Sequence, residues 1–221
     1  MGSTGSSPGP RHRPRFQPPA KPRYDFRFPP ARLDLLIRAK VDAVSLANDR
    51  ALDAAADGLV QGMRALKEKG IPFTGAGMNE SEACQPWLAE RSGVKLALFG
   101  VSMVGGGAAG PDAPGIAMLP QHGETLAGEF RKARAEGRRI IVMLHGGDEY
   151  RTEVNEEQKR WARWFAARGA GVVAGSHPHV VQREETHAGT LILHSLGNAI
   201  YPRDLSGAAS GKVRIVEIAA P

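Results

Sequence analysis

The run Ile140-Ile141-Val142-Met143-Leu144, closed by His145, is the strongest constraint on how this chain folds. Continuous apolar residues without alternation predict a strand covered on both faces, as in a parallel sheet. The surrounding pattern agrees. Helical spacing of apolar residues predicts helices over 31–40, 52–69, from about 124 to 136, and over 155–168. Asn79 and Glu82 have the spacing of a capping box that opens a further helix. Short strands are expected at 42–46, 71–74, 94–101, 172–174, 191–193 and 213–218, with a turn at Gly75-Ala76-Gly77. Strand and helix alternate, so the expected class is a layered α/β domain.

Charge separates the chain into two parts. The formal net charge is +6, yet residues 1–40 carry nine Lys or Arg against Asp25 and Asp34, leaving a net −1 on the rest. Residues 1–30 also hold eight of the 16 prolines, and proline removes a backbone donor and disfavours helix before it. They read as an extended Pro/Arg-rich arm, followed by one domain over 31–221. The arm carries no nucleic-acid motif, so a solvated tail is the expected reading and a nucleic-acid contact the competing one. No run of about 18 apolar residues encodes a membrane span, and the start lacks a signal peptide's apolar core. Taken as written, the chain is expected to be soluble and cytoplasmic, or in the cell envelope if an upstream anchor is missing. A single cysteine, Cys84, excludes an internal disulfide and a cysteine-based zinc site; it is expected to be a buried packing thiol.

Polar clusters fall where the apolar strands end, the usual place for ligands in open α/β sheets. They are Asn48-Asp49-Arg50, His145-Gly146-Gly147-Asp148-Glu149-Tyr150, Gly175-Ser176-His177-Pro178-His179 and Ser195-Leu196-Gly197-Asn198. His177 and His179, separated by one proline, can face a common centre, and His145 from a neighbouring strand end would complete a three-nitrogen set for a divalent metal. The alternative is that these histidines cap loops or bond carbonyls. Gly105-Gly106-Gly107 has no following Lys-Ser/Thr and is not a phosphate-binding P-loop. The helix-spaced Trp161, Trp164 and Phe165 are expected in the core.

Taken in order, five motifs carry a family resemblance across residues 28–201. They are 42–48 with Asp53 downstream, Gly75-Ala76-Gly77 with Glu82-Ala83, the segment 145–150, the segment 175–180, and Ser195-Leu196-Gly197-Asn198. This stretch resembles the bacterial capsule synthesis family of CapA type, associated with poly-gamma-glutamate biosynthesis. The resemblance implies a calcineurin-like metallophosphatase fold, a sheet with flanking helices. It also implies that His145, His177 and His179 are metal ligands, and that Glu149, Tyr150, Asn48 and Asn198 line the substrate pocket, with a structural role in the closing strand-end turn as the alternative for Asn198.

Two departures from the family pattern bear on activity. Where the family reads Leu-Ala-Asn-Asn-His, this chain reads Leu46-Ala47-Asn48-Asp49-Arg50. Asp49 can still supply an oxygen ligand to a hard cation, or alternatively cap the next helix. Arg50 cannot be a general acid near neutral pH, because its pKa exceeds 12, but it can stabilise an anion. Nothing before Asp42 matches the family's first strand with its Gly-Asp pair, nor its later Asn-Leu-Glu segment. The chain is therefore expected to lack that strand, and to hold one divalent ion (zinc, manganese or iron) at most. The implied reading is capsule-polymer metabolism with metal-dependent hydrolysis of a phosphoester or amide-type bond. There Asp49 and Arg50 serve the reaction, and the partner is an anionic polymer or small anionic substrate. The alternative is a catalytically silent relative that binds an anionic polymer.

Overall fold

A computed structural model describes residues 28–198, 211 and 213–218. Residues 1–27 of the arm lie outside that range. From the first described residues, a 3-10 turn (Pro30–Leu33) runs into α1 (Asp34–Arg38), followed by β1 (Val44–Ser45) and α2 (Ala55–Glu68). β2 (Phe73–Thr74), β3 (Ala76–Gly77) and α3 (Glu80–Ala83) lead to the hairpin of β4 (Trp87–Arg91) and β5 (Val94–Ser102). β6 (Gly115–Ile116), α4 (Gly123–Ala135), β7 (Arg139–His145), α5 (Glu156–Ala166) and β8 (Ala170–Ser176) come next, then β9 (Glu184–His187) and β10 (Thr190–Leu193).

The main sheet has the order β4-β5-β7-β8-β10-β9. Its four inner strands are parallel, so their C-terminal ends share one rim, while β4 and β9 run antiparallel at the edges. β1 and β2 form a parallel pair, and β3 pairs with β6. One face of the sheet is packed by α4 and α5, with Phe99, Phe130 and Phe165 packed in series as tilted rings at centroid distances of 4.5 and 5.5 Å. On the other face, Gly100 lets β1 and β2 approach β5 closely: a Cβ there would fall 2.3 Å from Ser45 Oγ. α2 covers this second layer through Leu59, Met63 and Leu66.

Several expectations need correction. The run at 140–144 is parallel to both neighbours but is not equally covered on its two faces. Ile140, Val142 and Leu144 are buried under α4 and α5, whereas Met143 on the reverse face is 36% exposed. The β1–β2 layer makes its sheet contacts at β5, one strand short of full cover. Residues 213–218 form no strand despite their β-like composition, and Val213 and Ile215 are almost fully exposed. Glu82 does not complete a capping box. Asn79 accepts the Glu82 N–H at 2.9 Å, but the Glu82 carboxylate takes the Met78 N–H instead. That helix lasts one turn before β4, a strand that the apolar pattern of the segment does not predict.

Caps and burial make two simple predictions. Asn155 closes a true capping box with Gln158 at the start of α5. Asn155→Ala should lower unfolding stability by about 1 kcal/mol, measurable by urea denaturation. Cys84 is buried at the end of α3, and burial, reinforced by Glu80 and Glu129, pushes its thiol up to about 12. A thiol-specific reagent at pH 8 should leave Cys84 unmodified in the native protein and label it fully in denaturant.

Candidate metal centre

The parallel strands deliver the site. β7 ends on His145 and β8 on Ser176, one residue before His177, while β1 runs out through Asn48 to Asp49. Register places His145 beside Ser176, so the two histidine-bearing ends are neighbours by construction. Asp49 arrives from the second layer. Gly105, at φ 90°, packs against its backbone so closely that a Cβ would sit 2.8 Å from the Asp49 Cα. The glycine-rich loop, which has no phosphate-binding pattern, is thus a close-approach surface holding the Asp49 turn.

Asp49, His145 and His177 each direct one ligand atom to a common point, all within 4.8 Å of one another. His145 Nε2 lies 2.9 Å from Asp49 Oδ1, and His177 Nδ1 lies 3.7 Å from the same oxygen. The bond from the His145 ring, with the His177 ring 3.7 Å away, holds the Asp49 carboxyl well below the usual carboxylate range, outweighing its partial burial. Asp49 is not a helix cap: α2 starts at Ala55 and has no side-chain cap. On its far side, Nδ1 of His145 lies 3.0 Å from Ser176 Oγ. Nε2 thus faces Asp49 and Nδ1 faces the serine hydroxyl; for Nε2 to ligate a cation, Nδ1–H would donate to Ser176 Oγ, which fixes the ring. Ser176 was visible in the Gly-Ser-His-Pro-His motif, but only the pairing of β7 with β8 gives it a role.

The donor set fits a divalent cation. Among the described residues, His177 Nδ1 is buried and has no hydrogen-bond partner, and such a group is costly unless something binds it. Two imidazoles and a carboxylate suit zinc, manganese or iron. His177, His179 and Tyr150 hold φ values of 98°, 59° and 58°, so the loops that carry them turn through left-handed backbone.

His179 stands beside this cluster. Its Nδ1 bonds Asn198 Oδ1 at 2.6 Å, and its ring stacks on Tyr150 at 5.5 Å. Its ring centroid is 6.2 Å from that of His177. Asn198 Nδ2 also donates to the His179 carbonyl, so Asn198 ties the last turn to the His-Pro-His loop. Asn48 uses its amide within its own turn, accepting from Arg50 N and donating to Leu46 O. Glu149 and Tyr150 are exposed on the loop after β7. Arg50 pairs with Asp49 Oδ2 at 3.3 Å and Asp53 Oδ2 at 3.6 Å, its side chain 43% exposed. That arrangement leaves Asp49 Oδ1 to the histidines.

Other polar groups have structural duties. His122 is buried, accepting from Met118 N and contacting the Ala109 carbonyl. His194 is buried against Glu185 at 3.3 Å. Among the described residues, no helix is long and apolar enough to cross a membrane.

Comparison with known proteins assigns the chain. Residues 13–203 match the family described as bacterial capsule synthesis protein PGA_cap. The chain is 30% identical over 158 residues to the PGA biosynthesis protein CapA of Bacillus subtilis (strain 168), covering 70% of this chain and 41% of that protein. It is 28% identical over 164 residues to the capsule biosynthesis protein CapA of Bacillus anthracis, covering 72% of this chain and 39% of that protein. The chain therefore spans about two fifths of the length of these curated relatives. With the family match running through the strand ends that build the Asp49–His145–His177 cluster, this chain belongs to the bacterial capsule synthesis (CapA-type) family.

Proposed function

We propose that the chain binds one divalent cation at Asp49, His145 and His177 and acts in capsule-polymer metabolism by hydrolysing a phosphoester or amide-type bond of an anionic substrate. The observation that carries this reading is that three ligand atoms from three separate segments lie within 4.8 Å of one another, with His177 Nδ1 buried and without a hydrogen-bond partner among the described residues. When bound, a divalent cation supplies Lewis acidity at that point. The protein's own groups then have distinct duties. Ser176 fixes the His145 ring. Arg50 holds Asp49 Oδ2 and presents a permanent positive charge at the solvent edge, suited to an anionic substrate group. Glu149, Tyr150, Asn48 and Asn198 line the rim around it, and His179, held by Asn198, joins them as a further ligand or pocket residue.

The test is hydrolysis of an aryl phosphate and of a gamma-linked glutamate oligomer by the purified chain. Zinc, manganese and iron are each compared with chelator. The reading expects activity with at least one metal, its loss with chelator, and an unchanged circular dichroism spectrum throughout. Metal-independent activity, or none with any metal, would overturn it. A second reading is motivated by Arg50, which stands where the family pattern has a histidine and cannot transfer a proton. In that case the glutamate oligomer binds equally well in chelator, with affinity falling as salt rises.

A further inference from the structure

Two buried amides lie between the loops of the site. Gln158 of α5 and Gln182, beyond the His-Pro-His loop, are 3% and 4% exposed. Gln158 Nε2 donates to Gln182 Oε1 at 2.8 Å. Gln182 Nε2 in turn donates to the carbonyls of Arg151 at 2.9 Å and Glu153 at 3.2 Å. The backbone N–H of Gln182 donates to Ser195 O at 3.1 Å, and the neighbouring Val181 bridges to Leu196. One residue thus touches the loop that begins at His145, belongs to the segment that carries His177 and His179, and pairs with the turn that carries Asn198.

The same loops meet at two further points. Gly146 N donates to Ser176 O at 3.0 Å and Tyr150 N to Pro178 O at 2.8 Å. Gly147, at φ 116°, lies flat against the Gln158 amide, where a Cβ would fall 2.5 Å from its Cδ. Both donors and the acceptor of the Gln182 amide are therefore spent on fixed partners, and none faces the cation site.

We infer that Gln182 is a positioning residue. It clamps loop 146–154 against segment 177–183 and so steadies the loop that carries His177 beyond the paired ends of β7 and β8. Loops at strand ends are the mobile part of an α/β domain. Carbonyls 151 and 153 have no strand to hold them, and the Gln182 amide replaces that ladder with two donors. Partners behind metal ligands typically alter affinity about 10–100-fold when removed. The effect on cation binding rests on the site proposed above; the effect on the loops does not.

The experiment compares Gln182→Leu, Gln182→Glu and Gln158→Leu in the full chain. Glutamate at 182 keeps size and the acceptor for Gln158 but loses the two donors, which covers a leucine variant that fails to fold. Two measurements are made well below each variant's Tm: hydrogen exchange of peptides covering 146–154 and 177–183, and cobalt(II) titration followed by visible absorption. The 182 variants should exchange at least about tenfold faster in both peptides and bind cobalt about 10–100-fold more weakly. Gln158→Leu removes a buried amide and a cap but leaves the hold on carbonyls 151 and 153. It should lower Tm while changing loop exchange and cobalt affinity less than about threefold. Wild-type protection in the 182 variants, or all three variants loosening in step with Tm, would overturn the inference. Failure of the wild type to bind cobalt would sink the cation site alone, and the exchange measurement would still decide the role of Gln182.

Discussion

A His145→Ala/His177→Ala variant should retain only background zinc or manganese after dialysis, where the wild type keeps about one ion per chain. The two rings supply both nitrogen donors of the cluster and leave Asp49 as a lone carboxylate on a half-exposed turn. A single carboxylate does not hold a transition metal against buffer. The variant should nevertheless fold, because both side chains sit at strand ends outside the hydrophobic core. The loss can therefore be read thermodynamically. At a cation concentration of 100 times Kd, the wild type should gain about 2.7 kcal/mol of stability and the double variant none. Asp49→Asn should fall between them, since it keeps an oxygen but gives up the charge that both imidazoles share. Equal metal content and equal stabilisation in wild type and double variant would remove the basis for the site.

Phe130→Ala should have the largest effect on stability of any single core truncation, about 3–5 kcal/mol by urea denaturation. The ring is 1% exposed and lies between Phe99 of the central sheet and Phe165 of α5. Removing it leaves a cavity bordered by two rigid rings that cannot collapse inward, and forfeits two aromatic contacts at once. For a chain of this size, that loss lowers Tm by on the order of 10 °C. Leu35→Ala is the matched control. Leu35 is 59% exposed on α1 and should change stability by less than about 0.5 kcal/mol. A Phe130 variant within about 1 kcal/mol of wild type would mean that the three-ring stack is not the keystone of the α4–α5 layer.

The legible parts of the site were those carried by local sequence. His145 follows an apolar run that predicts an inner strand, and register then puts it beside Ser176. His177-Pro178-His179 breaks a strand where an extended chain must turn. Asp49 was legible as a ligand but equally as a helix cap. Only the delay of α2 to Ala55 and the 2.9 Å contact with His145 separate the two. Arg50 read as a group able to stabilise an anion, and the fold adds that it also bridges Asp49 and Asp53. A one-dimensional pattern cannot show that a charge already has neighbours.

By itself, the sequence determined the alternation of strands and helices, the parallel inner sheet, and the placement of polar clusters at strand ends. Those features follow from the periodicity of apolar residues, which is a local property. Tertiary structure alone decided which face of β7 is covered and that 213–218 joins no ladder. It decided that His179 bonds Asn198 while His177 turns to Asp49, and that Gln182 ties three loops together. These depend on where residues far apart in the chain come to rest. Asp49 and His145 stand 96 positions apart and meet only because two layers close on Gly100 and Gly105, where the absence of a Cβ lets the backbones touch.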